Sequence, residues 1–467
     1  MLKIYDTLSR EKKEFIPVNP PFVNMYTCGI TSYDDCHIGH ARSLYFFDLV
    51  RRYLQYLGYK VRFVRNITDI DDKIINRAKQ LNINWKNLTE KYISSYYEDL
   101  ELLGIKKADY EPRATENISD MIKYISSLID KGYAYQAGGD VYFSVQKFSD
   151  YGKLSRQNTQ QLLEAVRVEP NSLKRDPLDF ALWKSSSEDA PFWESPWGRG
   201  RPGWHIECSV MSQKFLNSQT LDIHAGGLDL IFPHHENEIA QAQALTGKPF
   251  AKYWIHHGLL TINGQKMAKS LGNFISIKDF IKKYDANFLK LLFLGTHYSQ
   301  TIDYTEEKIE DIKLAFERIL IFLDKVKRKT NFKLRESDYS IDKLKQLKLK
   351  FKESMDDDFN TPKALATLFE LISEANKNIE STHFIIEAYS LLKDMADIFG
   401  LNLDIKTIKI YPTSSITEAE IQAKILERQK AREQKNYKLA DKIRKELLEK
   451  GILLEDTKEG TIWRRKL

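Results

Sequence analysis

Hydrophobic and polar positions near the N-terminus alternate in ways that predict a strand, a helix and a second strand. Asn24–Gly29 has the composition of a buried strand that runs into a glycine turn. From about His40 to Leu57 apolar residues recur every three or four positions, which predicts a helix, and Lys60–Val64 alternates as a strand should. A strand, a helix and a strand of these lengths form a βαβ unit. We therefore expect a parallel sheet that binds ligands at the carboxyl ends of its strands.

Beyond this unit the pattern becomes irregular and then regular again. The stretch from about Glu111 to Gly203 is rich in tryptophan and proline, and it predicts an insertion carried on the sheet. Alternating apolar positions return at Leu221–His224 and Tyr253–His257, and each segment predicts a strand that leads into a functional loop.

Helical periodicity replaces the strand pattern in the last third of the chain. Lys/Glu-rich helices are predicted from about Thr301 to Leu401, and a helix near Ala440–Lys450 precedes a short hairpin. The predicted fold class is α/β, with a parallel-sheet domain, a connective insertion, a helical domain and a small basic C-terminal domain. Their predicted boundaries are, in this order, 1–110 with 204–300, 111–203, 301–402, and 403–467.

Composition narrows the class of protein. Hydrophobic residues make up 42% and charged residues 29% of the 467 positions, as in ordinary globular proteins. The sequence lacks an apolar run near the roughly 20 residues that a membrane helix needs, and Met1–Asp6 lacks the apolar core of a secretory signal. The three cysteines are too few for a disulfide framework, and no role for Cys36 follows from its position. We expect a cytoplasmic, monomeric protein without membrane contact.

The positive charge is concentrated in the C-terminal tail. Ile421–Leu467 contains 14 Lys and Arg and 8 Asp and Glu, and the difference, +6, equals the net charge of the whole chain. This favours a polyanionic partner near the C-terminus, although a solvated lysine-rich helix face would have the same composition.

Two short motifs combine residues suited to phosphate. His37-Ile38-Gly39-His40 places two imidazoles at the start of the predicted helix, where unpaired backbone N–H groups favour phosphate, and Gly39 allows adenine or ribose to approach closely. Lys266 and Lys269 lie in a glycine-flanked loop and can follow charge onto pyrophosphate. A His-x-x-His match alone can also be a metal pair or a chance match. Both motifs in this order predict a triphosphate site.

A second group of residues has the composition of a metal site. His234 and Glu238 stand four positions apart on one face of a predicted helix, and pairing of His235 with Glu238 is geometrically possible too. The order differs from the His-Glu-x-x-His of zinc proteases. Cys28 and Cys208 could complete a Cys₂-His-Glu zinc site, although a lone buried cysteine is more often a small hydrophobic residue.

The two phosphate motifs resemble the signature pair of class I aminoacyl-tRNA synthetases, with Ala268 where that pattern commonly has serine. Asp222–Asp229 is similar to the glycine-rich ATP loop of the same class. Four further blocks narrow the resemblance to the cysteinyl-tRNA synthetases and extend it over nearly the whole chain. These blocks are Tyr26–Gly29, Arg65–Lys73, Gly203–Cys208 and Phe232–Glu238.

This resemblance implies a Rossmann-like catalytic domain, a tRNA-contacting helical domain and an anticodon-binding C-terminal domain. It implies an enzyme that activates L-cysteine with ATP and Mg²⁺ to cysteinyl-adenylate and transfers the cysteinyl group to the 3'-terminal adenosine of tRNA(Cys). The implied residues are His37, His40, Lys266 and Lys269 for catalysis; Gly39, Gly227, Asp229 and Lys269 for ATP; Gly29, Thr68 and Trp204 for the amino acid; and Cys28, Cys208, His234 and Glu238 for Zn²⁺.

Zinc would provide a way to select cysteine over serine. A pocket alone discriminates such isosteres weakly, often by only ~10²-fold. A thiol, with a pKa of about 8.5, can bind the metal as a thiolate, whereas an alcohol resists deprotonation. Four protein ligands normally mark a closed structural site with no open position. A substrate thiolate would therefore have to bind as a fifth ligand. We therefore predict that zinc expands its coordination or loosens one ligand.

The C-terminal tail allows two interpretations of Trp463, and its presence helps to distinguish between candidate functions. Trp463 could stack on an unpaired base beside Arg464 and Arg465, or anchor the terminal hairpin. A ligase that joins cysteine to a small amine would share the motifs but need no such tail. A nucleotidyltransferase would not need the metal residues, and a non-catalytic RNA-binding relative would not need the intact histidines and lysines.

Overall fold

The computed structural model describes residues 1–157, 173–187, 189–268, 271–335, 339–408, 416–457 and 460–465. Within these ranges no helix has both the length and the apolar character that a membrane crossing requires. The strands are β1 (Lys3–Asp6), β2 (Glu11–Glu14), β3 (Phe22–Thr31), β4 (Lys60–Thr68), β5 (Ala134–Ala137), β6 (Asp140–Phe143), β7 (Phe180–Ser185), β8 (Gly200–Pro202), β9 (Leu221–Gly227), β10 (Ala251–His257), β11 (Leu260–Ile262), β12 (Gln265–Lys266), β13 (Ile302–Tyr304), β14 (Ile452–Thr457) and β15 (Gly460–Arg465).

The α-helices of the described ranges differ widely in length. They are α1 (Ile38–Tyr56), α2 (Asp72–Leu81), α3 (Trp85–Leu102), α4 (Ile118–Asp130), α5 (Trp204–Leu216), α6 (Glu236–Thr246), α7 (Ile277–Lys283), α8 (Ala286–Leu294), α9 (Glu306–Thr330), α10 (Asp342–Asp356), α11 (Thr361–Lys377), α12 (Thr382–Phe399), α13 (Glu418–Glu433) and α14 (Tyr437–Glu449). A π-helical turn, Ile231–His235, leads into α6.

A parallel sheet in the order β10-β9-β3-β4 carries the candidate site. The predicted β3–α1–β4 unit is confirmed, because α1 buries Leu44, Phe47, Val50 and Leu54 at helical spacing between two paired parallel strands. Every residue of β9 is buried, as expected for a strand inside a parallel sheet that is covered on both faces. The carboxyl ends of these strands gather residues from distant parts of the chain.

The irregular segment after β4 contains a sheet of its own. Strands β5, β6, β7 and β8 pair in that order and are antiparallel throughout. Asp72 at the start of α2 connects this sheet to the parallel-sheet region, because its carboxylate accepts hydrogen bonds from Lys184 at 2.9 Å and from Arg201. The insertion predicted from composition therefore has regular structure that its sequence pattern did not indicate.

The helical region packs directly on the sheet region. Helices α9, α10, α11 and α12 contribute to the same hydrophobic cluster as α1. The hydroxyl of Tyr45 donates to the carbonyl of Phe399 at 2.8 Å, and that of Tyr53 donates to Asp356 at 2.7 Å. The predicted α/β class, with a parallel sheet followed by a helical C-terminal region, is confirmed.

The C-terminal residues form a separate small core. Helices α13 and α14 and the β14–β15 hairpin enclose a cluster with Ile421, Ile443 and Leu454 at its centre. Helix α14 and the hairpin match the prediction, whereas α13, which begins with a capping box at Thr417, was not predicted. Trp463 pairs with Leu454 across the hairpin and packs against the cluster, as a hairpin anchor would.

Candidate active site

His37 is the N-cap of α1, and its ring folds back over the first turn of the helix. Its Nδ1 accepts hydrogen bonds from the N–H groups of Gly39 (3.1 Å) and His40 (3.2 Å), and Nδ1 of His40 accepts from the N–H of His37 (3.1 Å). The two rings stack with their centres 3.8 Å apart. Because each Nδ1 is an acceptor, the proton of each neutral ring is on Nε2. Both histidines therefore retain an Nε2–H that can donate to a ligand.

Both imidazoles are neutral at physiological pH. Burial lowers the pKa of His37 to about 4 and that of His40 to about 3. The N–H of Ile38 donates to the carbonyl of Ile275 at 3.1 Å, and the next two N–H groups are capped by His37. The expectation of unpaired N–H groups at these positions is therefore wrong. The histidine side chains have taken that capping role, and their Nε2–H groups are the donors that remain for a ligand.

The two phosphate motifs lie against each other. A Cβ on Gly39 would be 2.8 Å from Nδ1 of His37 and 4.0 Å from the terminal methyl carbon of Met267, so the glycine lies between the histidine turn and the lysine loop. The ring of Phe274, just after that loop, meets the ring of His37 edge-on at 5.5 Å. Residues more than two hundred positions apart thus form one surface.

The lysine loop is closed by a side chain. Asn273 accepts a hydrogen bond from the N–H of Ala268 at 2.8 Å and donates its amide to the carbonyl of Lys266 at 3.2 Å. Lys266 itself is exposed in β12. Lys269, predicted to contact phosphate, lies outside the described residues.

The predicted ATP loop lies at the carboxyl end of β9. Gly227 ends that strand, and the exposed Asp229 lies in the short 3₁₀ turn that follows. A Cβ on Gly227 would collide with the carboxylate of Asp229. The position therefore requires glycine if Asp229 is to fold back towards the sheet edge.

The four predicted metal ligands come together beside this edge. The ligand atoms of Cys28, Cys208, His234 and Glu238 all lie within 4.8 Å of one another, and the three last residues are fully buried. The sulfur atoms are 3.8 Å apart, Cys208 Sγ is 3.5 Å from His234 Nε2, and Cys28 Sγ is 3.6 Å from Glu238 Oε1. A tetrahedral ion with bonds of about 2.3 Å to sulfur and about 2.0 Å to nitrogen would need separations of about 3.8 and 3.5 Å. The distances that involve sulfur have the spacing of a metal centre, whereas His234 Nε2 and Glu238 Oε1 lie 2.9 Å apart in a direct ion pair and would have to separate to about 3.3 Å around such an ion.

Neighbouring side chains orient these donors. Nδ1 of His234 lies 2.9 Å from Nδ1 of His205, which leaves Nε2 for the cluster, and the second oxygen of Glu238 lies 2.7 Å from Nε2 of His224. Partners of this kind fix the direction of a metal ligand. They come from β9 and α5, and sequence reasoning missed them because each is an ordinary histidine until the fold brings it close.

The charges within the cluster divide its groups into one ionised thiol and two groups that keep their protons. Burial opposes ionisation of Cys208, but the hydrogen bond from the Cys28 thiol and the nearby His234 lower its pKa to about 6. Burial likewise opposes protonation of His234, and the charge of Glu238 raises its pKa to about 10. Cys208 is thus held towards the thiolate, whereas burial and the neighbouring Cys208 raise the pKa of the Cys28 thiol, so metal binding would release protons from Cys28 and His234.

A second, overlapping donor set is present. Cys28 and Glu238 can also be grouped with His224 and His235, again within 4.8 Å. Nε2 of His235 lies 3.2 Å from Cys28 Sγ, and its Nδ1 lies 2.7 Å from Nε2 of His256. This geometry matches the alternative pairing of His235 with Glu238 that the sequence left open.

The residues expected near the amino acid surround the cluster. Gly29 packs so closely on β4 that a Cβ would overlap the carbonyl oxygen of Asn66, and its N–H donates to the Asn66 side chain at 2.9 Å. The hydroxyl of Thr68 donates to Glu207 at 2.7 Å. The half-exposed ring of Trp204 stacks on the ring of His234 at 4.1 Å. Asn66 and Glu207 were not singled out in the sequence.

The structure places Cys36 in the hydrophobic core, apart from the candidate metal cluster. All three cysteines lie in the described ranges and are free thiols, and Cys36 is buried in the main core. Its carbonyl accepts a hydrogen bond from the N–H of Ile277 at 3.0 Å, which joins the start of α7 to the residue before the histidine turn.

Comparison with protein families gives two matches. Residues 14–314 match the family described as tRNA synthetases class I (C) catalytic domain, and residues 350–404 match the DALR domain. The first match spans most of the chain and contains every residue of the candidate site.

Curated relatives match over the full length. A cysteine–tRNA ligase of Persephonella marina is 48% identical, covering 100% of this chain and 100% of the relative. Those of a Sulfurihydrogenibium species and of Aquifex aeolicus are 50% and 47% identical, each covering at least 99% of both chains.

Solved structures share the fold at low identity. Mycobacterium tuberculosis methionyl-tRNA synthetase in complex with methionyl-adenylate aligns with a TM-score of 0.61 at 15% identity, covering 81% of this chain and 90% of that one. The LeuRS of Agrobacterium radiobacter K84, in a ternary complex with tRNA and LeuAMS, aligns with a TM-score of 0.59 at 11% identity, covering 83% and 85%. The full-length relatives and the family match over residues 14–314 show that the chain belongs to the cysteine–tRNA ligase family of class I tRNA synthetases.

Proposed function

We propose that this protein activates L-cysteine with ATP and attaches the cysteinyl group to the 3'-terminal adenosine of tRNA(Cys). The observation that carries the proposal is the four-residue Cys/His/Glu cluster at the sheet edge that also bears the histidine turn and the lysine loop. A thiol-binding centre beside a phosphate-binding surface suits an enzyme that joins cysteine to a nucleotide. The full-length match to cysteine–tRNA ligases supports the same activity.

In the first step the cysteine carboxylate attacks the α-phosphate of ATP in line, which forms cysteinyl-adenylate and releases pyrophosphate. His37 and His40 donate from Nε2–H to phosphate oxygens as neutral groups. Lys266 and Lys269 stabilise the charge that moves onto pyrophosphate. None of these side chains becomes covalently bound, so their contribution is positioning and electrostatic stabilisation.

The nucleotide end of ATP is held at the carboxyl end of β9. Gly39 and Gly227 allow the adenosine to lie close to the backbone, and the exposed carboxylate of Asp229 accepts from a ribose hydroxyl. Mg²⁺ enters with the phosphates of ATP, because this chemistry usually brings the ion bound to the nucleotide.

The metal is Zn²⁺, held by Cys28, Cys208, His234 and Glu238. Two thiols and an imidazole are the donors that zinc prefers, and their spacing suits a tetrahedral ion better than the set without Cys208. When bound, zinc supplies a Lewis acid that favours a thiolate ligand over an alcohol. Gly29, Thr68 and Trp204 line the amino-acid pocket around it, and the ring of Trp204 holds His234 by stacking.

The second step brings tRNA to the same edge. A ribose hydroxyl of the terminal adenosine takes the cysteinyl group from the adenylate, and AMP leaves.

Residues 1–110 and 204–300 form the catalytic domain and 111–203 the connective insertion. Residues 301–402 contact the tRNA, and the basic residues 403–467 bind the anticodon loop. The protein works as a monomer in the cytoplasm, where its three free thiols stay reduced.

Charging of a tRNA(Cys) transcript tests this function. We expect radioactive cysteine, but not serine, to become acid-precipitable on tRNA with a free 3'-terminal ribose, and not on tRNA whose terminal ribose is oxidised. Cysteine transferred to a small amine, with the tRNA left uncharged, would instead indicate the rival ligase.

X-ray absorption at the zinc edge tests the metal. We expect sulfur scattering to increase when cysteine binds, because the substrate thiolate joins the two protein thiolates. The His234→Ala variant should lose zinc, whereas His235→Ala should keep it. An unchanged sulfur shell on binding of cysteine would exclude selection through the metal.

A further inference from the structure

Asp99 is a buried carboxylate of α3 that has no part in the steps above. It is 1% exposed, and neither of its carboxylate oxygens has a hydrogen-bond partner among the residues that the structure describes. A buried polar group without a partner costs free energy, and a carboxylate costs more than a neutral group. Its presence therefore indicates a partner that reaches Asp99 in another state of the protein.

Asp99 lies beside the contact that joins the two phosphate motifs. The N–H of Ile38, in the histidine turn, donates to the carbonyl of Ile275 at 3.1 Å. The N–H of Ile277, at the start of α7, donates to the carbonyl of Cys36 at 3.0 Å, so the two segments form a short antiparallel bridge. Burial and the charge of Asp99 raise the pKa of the Cys36 thiol, which places this carboxylate close to the bridge.

Lys278 is a cation within reach of Asp99. Burial raises the pKa of Asp99 to about 7, and the charge of Lys278, in the first turn of α7, opposes this rise. The ammonium group of Lys278 donates instead to Glu98, the residue before Asp99, at 2.5 Å. The Glu98 side chain is 63% exposed, and an exposed ion pair contributes little stability. Exchange of Glu98 for Asp99 would leave the exposed carboxylate to water and give the buried one its missing partner.

The packing of α3 and α7 leaves room for this exchange. A cavity of about 570 Å³ lies between the two helices and is lined by Glu98, Glu101, Leu102, Lys278, Ile281 and Lys282. The lysine side chain can therefore swing from one carboxylate to the other without displacing a packed residue. Because α7 follows the lysine loop directly, an ion pair between Lys278 and Asp99 would fix the end of that loop relative to α3.

We propose that Asp99 is a positioning residue for the phosphate site, and that Lys278 leaves Glu98 and pairs with Asp99 when ATP binds. The new ion pair ties the start of α7 to α3 and holds the end of the lysine loop against the histidine turn. ATP favours this state because both motifs contact the same phosphates, and a ligand shifts a protein towards the state that it binds more tightly. Asp99 touches neither ATP nor cysteine, so its effect passes through Lys278. The inference rests on the proposed function, because it takes ATP as the ligand of the two motifs.

Variants of the zinc-loaded full chain test the ion pair through the kinetics of cysteine-dependent ATP–pyrophosphate exchange. Asp99→Asn and Lys278→Met should each lower kcat about tenfold while KM for cysteine stays within about twofold, because a charged hydrogen bond is lost away from the metal cluster. The double variant should lose little more than either single variant, since the two residues act as one unit. Glu98→Gln should act in the opposite direction and lower KM for ATP about twofold or more, because Lys278 loses its competing partner.

Glu101→Gln provides the matched control, because it removes the same charge from the same cavity without touching the pair. Its kinetics should equal those of the wild type. The unfolding temperature of every variant is also measured with and without ATP. We expect Asp99→Asn to be at least as stable as the wild type without ATP, since the carboxylate then has no partner, and to gain less stability from ATP.

Three results would overturn the inference: full exchange activity of Asp99→Asn, a Glu98→Gln variant slowed as much as Asp99→Asn, or destabilisation of Asp99→Asn without ATP, which would indicate a purely structural role. The wild-type chain provides the separate check on function. If it catalyses cysteine-dependent exchange while the variant series fails, only the ion-pair inference is wrong. If it lacks exchange, the proposed function itself fails, and the unfolding temperatures with and without ATP still decide whether the pair forms.

Discussion

At the residue scale, His37 has two roles that the sequence pattern could not separate. Its Nδ1 caps the first turn of α1, and its Nε2–H faces away from the backbone as a potential phosphate donor. The motif therefore caps its own helix, and in the proposed function it also binds the phosphates. Substitutions that keep one role and remove the other can separate these contributions.

We predict that His37→Asn slows ATP–pyrophosphate exchange on the order of 10²-fold while leaving stability nearly unchanged. Asparagine can still cap the helix through its side-chain oxygen but lacks the Nε2–H donor. His37→Ala should slow exchange similarly and also lower the free energy of unfolding by about 1 kcal/mol, because the cap is lost. Exchange assays and thermal unfolding of both variants provide the comparison. Normal exchange by His37→Asn would exclude the donor role.

The low pKa values of the histidine turn predict a pH dependence. The pKa of His37 is about 4 and that of His40 about 3, so both rings have lost their charge well below neutral pH. The exchange rate at saturating substrates should therefore not decline between about pH 6 and pH 8. A mechanism that needs an imidazolium with the usual pKa of about 6.5 would lose rate as pH rises through that range. If the rate of the wild-type protein declined over this range and the decline were absent from the His40→Asn variant, the histidines could not act as neutral donors.

The four residues of the Cys/His/Glu cluster could be predicted to lie together because each belongs to a short block that resembles a known family. His205, His224 and His256 could not, since they come from different elements and gain meaning only through contacts with His234, Glu238 and His235. The same holds for Asn66 and Glu207, whose hydrogen bonds cross between β3, β4 and α5. Short motifs and the resemblance point to the candidate ligands, but the side chains that orient these residues depend on tertiary structure.

At the scale of elements, the lysine loop lies between β12 and α7 and is closed by Asn273. Its neighbours on the other side are the histidine turn and Cys36, whose carbonyl holds the start of α7. The position of the loop relative to ATP thus depends on a few hydrogen bonds at its ends, and these can be removed without touching a lysine.

We predict that Asn273→Ala slows ATP–pyrophosphate exchange about tenfold while the affinity for cysteine stays within about twofold, because the loop loses its closing bridge but the metal cluster is untouched. Asn273→Asp keeps the acceptor for the N–H of Ala268 and should fall between the alanine variant and the wild type. Exchange kinetics and cysteine titration measure both effects. If the variant lost affinity for cysteine instead, the loop would act on amino-acid binding, which would contradict its proposed role at the phosphates of ATP.

At the scale of the whole molecule, one hydrophobic cluster joins the sheet region to α9–α12, while the last helices and hairpin enclose their own. The amphipathic periodicity predicted helices in this region but did not show which element their apolar faces pack against. The packing of that region on α1 therefore could not be predicted from the sequence. The separate core of the tail makes its removal feasible.

Removal of residues 414–467 should leave ATP–pyrophosphate exchange within about threefold of the full chain and lower kcat/KM for charging of tRNA by about tenfold or more, because basic contacts to RNA are lost. Both activities are measured on the same preparation, with the salt concentration held fixed. Full charging activity of the truncated chain would refute the anticodon-binding role of the tail.

The most direct test of the central claim is ATP–pyrophosphate exchange measured with each of the twenty amino acids, before and after removal of the metal. We expect exchange with L-cysteine alone, lost when a chelator removes zinc and restored when zinc is returned. Exchange supported by another amino acid, or cysteine-dependent exchange that continues at full rate without zinc, would contradict the claim that the metal cluster selects the substrate.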